Sequence, residues 1–349
     1  MSVSPSPNTA LALAYLRNAQ AVLANNQPHQ TAALLEHAMV QLQSAFDDTP
    51  LLPAFSCWSV GVGLDTGLKR SVNEDYLFEM TTSRPLPNDG QEPVGIFVVA
   101  DGIGGHTRGD VASRCAVHTF ADSLLPHLLS NREFSPGDLH ALLAEGVQAA
   151  NRAVYRKNRE AGVEVGSGRS LMGTTLAAAL CVGSRAVVAN VGDSRTYVFR
   201  RGALYQVSRD HSYVFDQVAA GVFTPDQIYT HPQRNVIYRC LGETEEVAVD
   251  LFALELMDGD LLLLCSDGLW EMVPDQSLLA RVLASSHLDP EQMAQQLVHL
   301  ALAGGGLDNI GLLVARYQTI IGANQDGTDI ADAPTIVLPA NSSTPALAS

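Results

Sequence analysis

The sequence predicts an α+β domain in which antiparallel sheets are layered with helices. Apolar, strand-like runs follow one another closely, and the turns between them are short, as at Arg201-Gly202-Ala203. Two long segments, 109–129 and 137–160, repeat apolar residues at three- and four-residue steps, which is typical of amphipathic helices. Short turns indicate antiparallel pairing, and paired long helices between groups of strands indicate a layered architecture.

The first part of the chain reads as an extension of the main domain. Residues 1–8 are rich in Ser and Pro, and we expect them to be disordered. Residues 9–52 carry two apolar repeats of helical spacing, separated by Asn25-Asn26-Gln27-Pro28, which predicts a helical hairpin. Two interpretations of this hairpin stay open: packing on the main domain, or a dimerisation or docking element.

The main domain is predicted to span residues 53–318. Its strands are placed by apolar runs and by turn residues at 57–64, 94–100, 174–181, 185–191, 195–200, 204–208, 247–254, 260–265 and 310–317. Its helices are placed by three- and four-residue apolar spacing at 109–129, 137–160, 275–285 and 290–303. Residues 319–349 are rich in small and polar residues without periodicity, which predicts a flexible tail.

Composition limits the function classes. The 349 residues include 21 basic and 37 acidic side chains, a net charge of −16, which argues against partners such as nucleic acid or an anionic membrane surface. The five cysteines include no CxxC pair, so reduced thiols fit better than a disulfide framework. We find no signal peptide and no membrane span, and we therefore expect a cytoplasmic protein.

Four short acidic loops, each beside an apolar strand, are the candidate functional site. They read Val98-Val99-Ala100-Asp101-Gly102, Val191-Gly192-Asp193-Ser194-Arg195, Leu264-Cys265-Ser266-Asp267-Gly268 and Asp308-Asn309-Ile310-Gly311. A single Asp-Gly is usually only a turn. Four carboxylates at strand ends, without a His or Cys cluster, instead point to a hard divalent cation bound by oxygen.

These motifs give the sequence a resemblance to a known family. Six motifs occur in order: Arg70-Ser71-Val72-Asn73-Glu74-Asp75, Val99-Ala100-Asp101-Gly102-Ile103-Gly104-Gly105-His106, Gly173-Thr174-Thr175, Val191-Gly192-Asp193-Ser194-Arg195, Leu264-Cys265-Ser266-Asp267-Gly268-Leu269 and Asp308-Asn309. In order and approximate spacing they resemble the metal-dependent protein phosphatases of the PPM type, also called type 2C. The stretch 224–235 resembles the flap of the bacterial branch.

The resemblance implies a four-layer α-β-β-α sandwich, with two central antiparallel sheets flanked by helices. It also implies a serine/threonine phosphatase that uses two Mn²⁺ or Mg²⁺ ions and a water activated by them, and that opposes a bacterial Ser/Thr protein kinase in signalling. Phosphoproteins would be its partners. No Cys-x5-Arg loop occurs in the sequence, so the nucleophile of a tyrosine phosphatase is missing.

The roles of individual residues are likewise implied by the resemblance. Asp101 would bridge the two ions, and the Gly102 carbonyl would bind one of them. The remaining roles are these: Asp267 and Asp308 bind the other ion, Glu74 and Asp75 act through metal-bound water, Asp193 supports a third and weaker metal, and Arg70 holds the substrate phosphate. A guanidinium suits this last role because it binds phosphate through two parallel hydrogen bonds.

Two other functions compete with catalysis. A pseudophosphatase of the same fold could bind phosphoproteins without turnover, although all the carboxylates and Arg70 are present. A calcium-binding structural protein could also carry acidic loops, but the ligand spacing of an EF-hand within one short loop is missing.

The roles of His106, His211 and Thr335 stay open. Ile103 stands where many eukaryotic relatives have a histidine proposed as the leaving-group acid, and His106 could serve instead or only pack in the turn. His211 is expected to make a structural hydrogen bond. In the tail, Thr335 is followed three positions later by Leu338, which resembles phosphothreonine motifs bound by forkhead-associated domains. The alternative for the tail is an unstructured segment without a partner.

Overall fold

Two antiparallel sheets pack face to face and carry helices on their outer faces. The computed structural model describes residues 54–86, 91–103, 108–128, 133–162 and 171–321, and Phe55–Ile320 forms one unit. The first sheet has the strand order β1-β11-β10-β7-β8 and the second has β2-β3-β5-β6-β9, with the short β4 paired to β3. The strand bounds are β1 Ala54–Asp65, β2 Asp75–Pro85, β3 Gln91–Ile103, β4 Gly173–Thr174, β5 Leu176–Val182, β6 Arg185–Val191, β7 Arg195–Arg200, β8 Ala203–Gln206, β9 Asp250–Glu255, β10 Leu261–Cys265 and β11 Ile310–Ile321.

The long helices begin with favourable caps. Ser135 and Asp289 each form a capping box and are followed by Pro at the first helical position, which satisfies free N–H groups of the first turn. The helix bounds are α1 Gly109–Leu128, α2 Pro136–Glu160, α3 Tyr213–Ala219, α4 Gln227–Thr230, α5 Asp267–Trp270, α6 Gln276–Leu283 and α7 Pro290–Ala303. No helix among the described residues is both long enough and apolar enough to cross a bilayer.

Three hydrophobic cores separate the four layers, as period-2 alternation along the strands shows. In β10, Leu262 and Leu264 face the core between the sheets, whereas Leu261 and Leu263 face the core beneath the helices. The core between the sheets also includes Phe97 of β3. The remaining core lies between the second sheet and α1 and α2. The α-β-β-α sandwich expected from the resemblance is therefore confirmed.

The structure corrects several element boundaries. Strand β2, Asp75–Pro85, was not predicted, and the run 174–181 is divided into β4 and β5 at Thr175. The strand predicted at 204–208 is observed as β8, Ala203–Gln206. The strand predicted at 247–254 is observed as β9, Asp250–Glu255. Three short helices, α3, α4 and α5, were also missed, since each has only four to seven residues.

Several predictions fall outside the described residues. These are the disordered start 1–8, the helical hairpin within 9–52, the tail from 322 onward with Thr335, and the stretch 104–107 with His106. Both tryptophans are buried: Trp58 in the core between the sheets and Trp270 beneath the helices.

Candidate metal centre

One cavity gathers most of the acidic residues that the sequence singled out. It has a volume of about 280 Å³. Its walls are formed by Arg70, Glu74, Asp101, Gly102, Ile103, Thr175, Asp193, Asn235, Ile237, Asp267 and Asp308. Five of these residues carry carboxylates, and they come from loops that are far apart in sequence. The sheets therefore bring together what the sequence places at separate strand ends.

Asp101 lies near the end of β3, where neighbouring residues fix its main chain. Its N–H donates to Thr175 Oγ1 at 2.9 Å, and its carbonyl oxygen accepts from the Thr175 N–H at 2.9 Å and from the Thr174 hydroxyl at 2.9 Å. Across the strand pair, the direct partner of Asp101 is Asp75. Two carboxylates thus occupy adjacent positions of one ladder, which is unfavourable unless a proton or a cation relieves their repulsion.

Asp267 and Asp308 are delivered by neighbouring strands. Asp267 follows β10 and Asp308 precedes β11, and these strands pair with Cys265 opposite Leu312. Ser266 joins the two loops, because its N–H donates to the Gly311 carbonyl at 2.9 Å and its hydroxyl accepts from the Gly311 N–H at 3.0 Å. The same hydroxyl donates to Asp75 Oδ2 at 2.7 Å. Ser266 thereby links the acidic loops of the two sheets.

Asp193 lies in the turn between β6 and β7. Gly192 precedes it with φ of 105°, a conformation that L side chains rarely adopt. The Gly192 N–H donates to His211 Nδ1 at 3.0 Å, and the Gly192 carbonyl accepts from the His211 N–H at 2.9 Å. Because Nδ1 accepts, the ring proton is on Nε2, 3.2 Å from Asp250 Oδ2. His211 thus has the structural role expected for it, as support for the Asp193 turn.

Glu74 and Gly102 are held by main-chain contacts at the other side of the cavity. Glu74 Oε1 accepts from the Gly109 N–H at 3.2 Å, at the start of α1, where a carboxylate is favoured by the helix dipole. The Gly102 N–H donates to the Glu74 carbonyl oxygen at 3.1 Å. Asn309 organises the entrance, since its Oδ1 accepts from the Glu74 N–H at 2.8 Å and its amide group donates to two carbonyl oxygens of the loop after β1.

Arg70 is the basic side chain of the cavity wall. Its Nη2 lies 2.7 Å from Asp308 Oδ2, and the Arg70 side chain is 49% exposed. An exposed guanidinium at the mouth of an acidic cavity can exchange its carboxylate partner for an incoming phosphate. Carboxylate and phosphate oxygens both accept charge-assisted hydrogen bonds from a guanidinium.

Burial and mutual repulsion raise the pKa values of these acids. Burial raises the pKa of Asp75 and of Asp193 to about 7. The pKa of Asp101 rises well above its usual range, first through burial and then through the charges of Asp75 and Asp267. The pKa of Asp267 rises through burial and the charges of Asp193 and Asp308. Such clustering of raised pKa values is characteristic of functional sites.

The donor set fits a hard divalent cation. Among the described residues, Asp267 Oδ1 and Asp75 Oδ1 are buried and have no hydrogen-bond partner, which is costly for a carboxylate oxygen. No group of three or more His, Cys, Asp or Glu side chains within those residues is arranged to hold a metal ion by itself. Mg²⁺ does not need such a group, because it usually keeps several waters and takes only one or two protein carboxylates.

The cavity contains most, but not all, of the site residues expected from the sequence. Arg70, Glu74, Asp101, Gly102, Asp193, Asp267 and Asp308 line it. Asp75 lies behind Asp101, buried and bonded to Ser266, so it supports the wall instead of lining it. Thr175, Asn235 and Ile237 also line the cavity. Thr175 belongs to the motif 173–175 and Asn235 to the flap stretch 224–235, but the sequence assigns neither of them a role. Ile237 belongs to none of the motifs.

Comparisons with known proteins agree with this geometry. A family model described as protein phosphatase 2C matches residues 72–301. The serine/threonine protein phosphatase PstP of Mycobacterium tuberculosis is 37% identical over 251 residues, which are 72% of this chain and 43% of that protein. The serine/threonine phosphatase stp of Listeria monocytogenes is 34% identical over 254 residues, 72% of this chain and 93% of that protein. The chain thus spans less than half the length of the mycobacterial relative.

Solved structures show the same similarity. The crystal structure of M. tuberculosis PstP/Ppp superposes with a TM-score of 0.61 at 35% identity, over 74% of this chain and 98% of that one. The catalytic domain of PstP, solved in complex with two manganese ions, gives a TM-score of 0.61 at 32% identity, over 76% and 100% of the two chains. PppA, described as a key regulatory component of T6SS in Pseudomonas aeruginosa, gives 0.58 at 34% identity, over 75% and 100%.

Proposed function

The chain belongs to the protein phosphatase 2C family of metal-dependent serine/threonine phosphatases, and we propose that it removes phosphate from phosphoserine and phosphothreonine of proteins. The observation that carries this proposal is the convergence of five carboxylates and one exposed arginine on a single cavity of about 280 Å³. Its substrates are therefore phosphoproteins, and its reaction is the hydrolysis of a phosphoric monoester.

We further propose that Asp101, Asp267 and Asp308 hold two Mn²⁺ or Mg²⁺ ions, together with the carbonyl of Gly102. Two observations support this assignment. Asp267 Oδ1 is buried without a hydrogen-bond partner among the described residues, and the pKa values of Asp101 and Asp267 are raised. When bound, the ions supply a water of lowered pKa and neutralise charge that develops on the phosphoryl oxygens. Asp193 adds a third and weaker site on the same wall.

The supporting acids have a different role from the ligands. Glu74 and Asp75 are proposed to accept hydrogen bonds from water in the cation shell. The Ser266 hydroxyl, which donates to Asp75 at 2.7 Å, supports that carboxylate opposite Asp101 on the strand pair. Groups of this kind orient the ligands, and their loss typically weakens metal affinity by about ten- to a hundredfold.

Arg70 is proposed to bind the substrate phosphate. In the structure its guanidinium is paired with Asp308, half exposed, at the mouth of the cavity. Binding of a phosphate monoester would replace this exposed ion pair by two parallel N–H···O bonds, which would orient the phosphate in the cavity. Ile103 and Ile237 provide apolar surface on the same wall and limit the entry of bulk water.

The leaving alcohol needs a proton. We propose that solvent within the cavity supplies it. Ile103 occupies the position directly after Asp101-Gly102 and cannot donate one.

The following proposals concern the partners of the phosphatase and its recruitment. We propose that the phosphatase opposes a bacterial Ser/Thr protein kinase in the cytoplasm, and that phosphorylated Thr335 recruits a partner with a forkhead-associated domain. The spacing of Thr335 and Leu338 supports the second proposal. A pull-down with a peptide bearing phospho-Thr335 should retain such a domain, and the unphosphorylated peptide should not. Equal retention by both peptides, or by neither, would contradict it.

Hydrolysis of a phosphothreonine peptide tests the main proposal. The purified protein should release phosphate with Mn²⁺ or Mg²⁺, but not with Ca²⁺ or EDTA, and Asp267→Asn should be inactive under all four conditions. Folded protein that releases no phosphate with any metal would overturn the proposal. That result would favour a phosphoprotein-binding module of the same fold.

A further inference from the structure

Trp270 connects the two loops that carry Asp193 and Asp267. Helix α5 begins at Asp267 and ends at Trp270, so the indole lies almost one helical turn after the carboxylate. Its Nε1–H donates to the carbonyl oxygen of Asp193 at 3.0 Å, a bond between positions 77 residues apart. Strands β7 and β10 pair with Arg195 opposite Cys265, which brings the two loops to the same sheet end.

Arg195 holds the indole in place. Its guanidinium carbon lies 3.7 Å from the centroid of the Trp270 ring. The guanidinium is itself fixed, because Nε and Nη2 donate to the Asp210 carboxylate at 3.0 and 2.7 Å and Nη1 donates to the Tyr197 hydroxyl at 3.1 Å. All four side chains are buried. A buried guanidinium that is paired in this way has one position, so the indole plane is fixed with it.

We propose that Trp270 is a positioning residue that fixes the Asp193 loop relative to Asp267 and thereby strengthens cation binding in the cavity. The inference rests on the proposed function, because it requires that these carboxylates bind a divalent cation. The charge of Asp193 repels that of Asp267, so the free loops would separate. Side chains locked by packing and hydrogen bonds hold ligands in the binding geometry before the cation arrives.

The test is Mn²⁺ binding by isothermal titration calorimetry to the full chain and to Trp270→Phe. Phenylalanine keeps an aromatic ring for Arg195 to pack on, removes the N–H donor and is smaller than the indole, a loss of size that the control variant shares. A lost hydrogen bond of ordinary strength predicts binding that is about fivefold weaker. Trp58→Phe is the matched control: Trp58 is also buried and packs on aromatic rings, but its Nε1 has no partner among the described residues. Its Mn²⁺ affinity should equal that of the unmodified protein.

A double-mutant comparison separates positioning from a general effect on the fold. If Trp270 acts through Asp193, Trp270→Phe should weaken Mn²⁺ binding in the unmodified protein but cause no further loss when added to Asp193→Asn. Additive losses would overturn the inference. So would unchanged Mn²⁺ affinity of Trp270→Phe together with a lower melting temperature in EDTA, because that pattern is purely structural.

A second variant keeps the test valid if Trp270→Phe does not fold. Tyr197→Phe removes a hydrogen bond that anchors Arg195 and leaves the indole unchanged. It should weaken Mn²⁺ binding in the same direction, and full affinity would overturn the inference. If the unmodified protein does not bind Mn²⁺, the proposed function fails as well. If it binds Mn²⁺ and the variants bind it equally well, only the role of Trp270 fails.

Discussion

Arg70 and Asp308 form an ion pair at the mouth of the cavity, with Nη2 2.7 Å from Oδ2. One of these residues is the proposed phosphate ligand and the other a proposed metal ligand. The pairing keeps the guanidinium directed at the cavity before substrate arrives. Because both side chains are partly exposed, solvent screens the pair, and it can be exchanged at little cost.

Substitution of Arg70 should mainly weaken substrate binding. Arg70→Ala removes a bidentate, charge-assisted contact, and we expect kcat/KM to fall by about ten- to a hundredfold, with most of the change in KM. Steady-state kinetics on a phosphothreonine peptide at saturating Mn²⁺ measures both constants. Arg281→Ala, at an exposed arginine of α6, is the control and should leave both unchanged. A fall in kcat with constant KM would contradict a role in phosphate binding.

Neutralising a metal ligand should abolish activity without weakening the fold. Asp101→Asn removes a carboxylate from the proposed bridge, and we expect activity to fall by roughly a thousandfold, because a bound cation contributes several kcal/mol to the transition state. In EDTA at pH 7.5 its melting temperature should match or exceed that of the unmodified protein, since a neutral amide replaces a buried acid whose charged form is disfavoured by burial and by neighbouring carboxylates.

The matched control for Asp101→Asn is a buried aspartate outside the cavity. Asp260 is 2% exposed and pairs with Arg200 at 2.6 Å at the far end of β10. Asp260→Asn should lower the melting temperature and keep Mn²⁺-dependent activity. If Asp101→Asn instead melts far below the unmodified protein in EDTA, Asp101 has a structural role and the assignment fails.

Gly268 allows the Asp267 and Asp308 loops to approach each other. A Cβ at this position would lie 1.8 Å from the carbonyl oxygen of Asn309, so Gly268→Ala must push the loops apart. We expect a loss of about 2 kcal/mol in the free energy of unfolding and weaker Mn²⁺ binding. Urea denaturation and calorimetry measure the two effects. Gly137→Ala in α2, where the nearest atom is 3.7 Å away, should be neutral or slightly stabilising. Full Mn²⁺ affinity in Gly268→Ala would contradict this account of the loop contact.

The stability of the metal-free protein should fall as pH rises toward neutrality. Burial raises the pKa of Asp75 and Asp193 to about 7, whereas an unfolded chain titrates near pH 4. Between these values the folded state binds more protons, so these groups lower the free energy of unfolding as pH increases. In EDTA the melting temperature should therefore be lower at pH 7.5 than at pH 5.5.

Two comparisons check the origin of this pH dependence. Saturating Mn²⁺ should reduce or reverse it, because bound carboxylates are deprotonated. Asp193→Asn should make it shallower, because one of the two groups with a pKa of about 7 is removed. An identical slope in Asp193→Asn would show that the effect comes from elsewhere.

Much of the fold could be predicted because buried strands are continuous apolar runs. Strand β10, Leu261–Cys265, is fully buried and was found. Strand β2 was missed because it is the edge strand of its sheet and its side chains are mostly half-buried or exposed, so that polar residues interrupt the pattern. Apolar periodicity in a sequence reflects which side chains are buried, and few side chains of this edge strand are buried.

The acidic residues of the site could be predicted because each stands beside an apolar strand, but their supports could not. The contact between Trp270 and Arg195 depends on the register of β7 and β10, and that of Asp75 with Ser266 depends on how the two sheets stack. Neither relationship leaves a periodic or local signal. Sequence therefore identifies the candidate ligands, and only the fold identifies the residues that hold them.

Anomalous diffraction from crystals grown with Mn²⁺ tests most sharply whether these carboxylates hold two metal ions. Two strong peaks are expected in the cavity, with an Asp101 oxygen at about 2 Å from each and Asp267 and Asp308 beside one of them. A third, weaker peak is expected beside Asp193. Peaks elsewhere, or an empty cavity at saturating Mn²⁺ in folded protein, would contradict the assignment of these carboxylates as metal ligands.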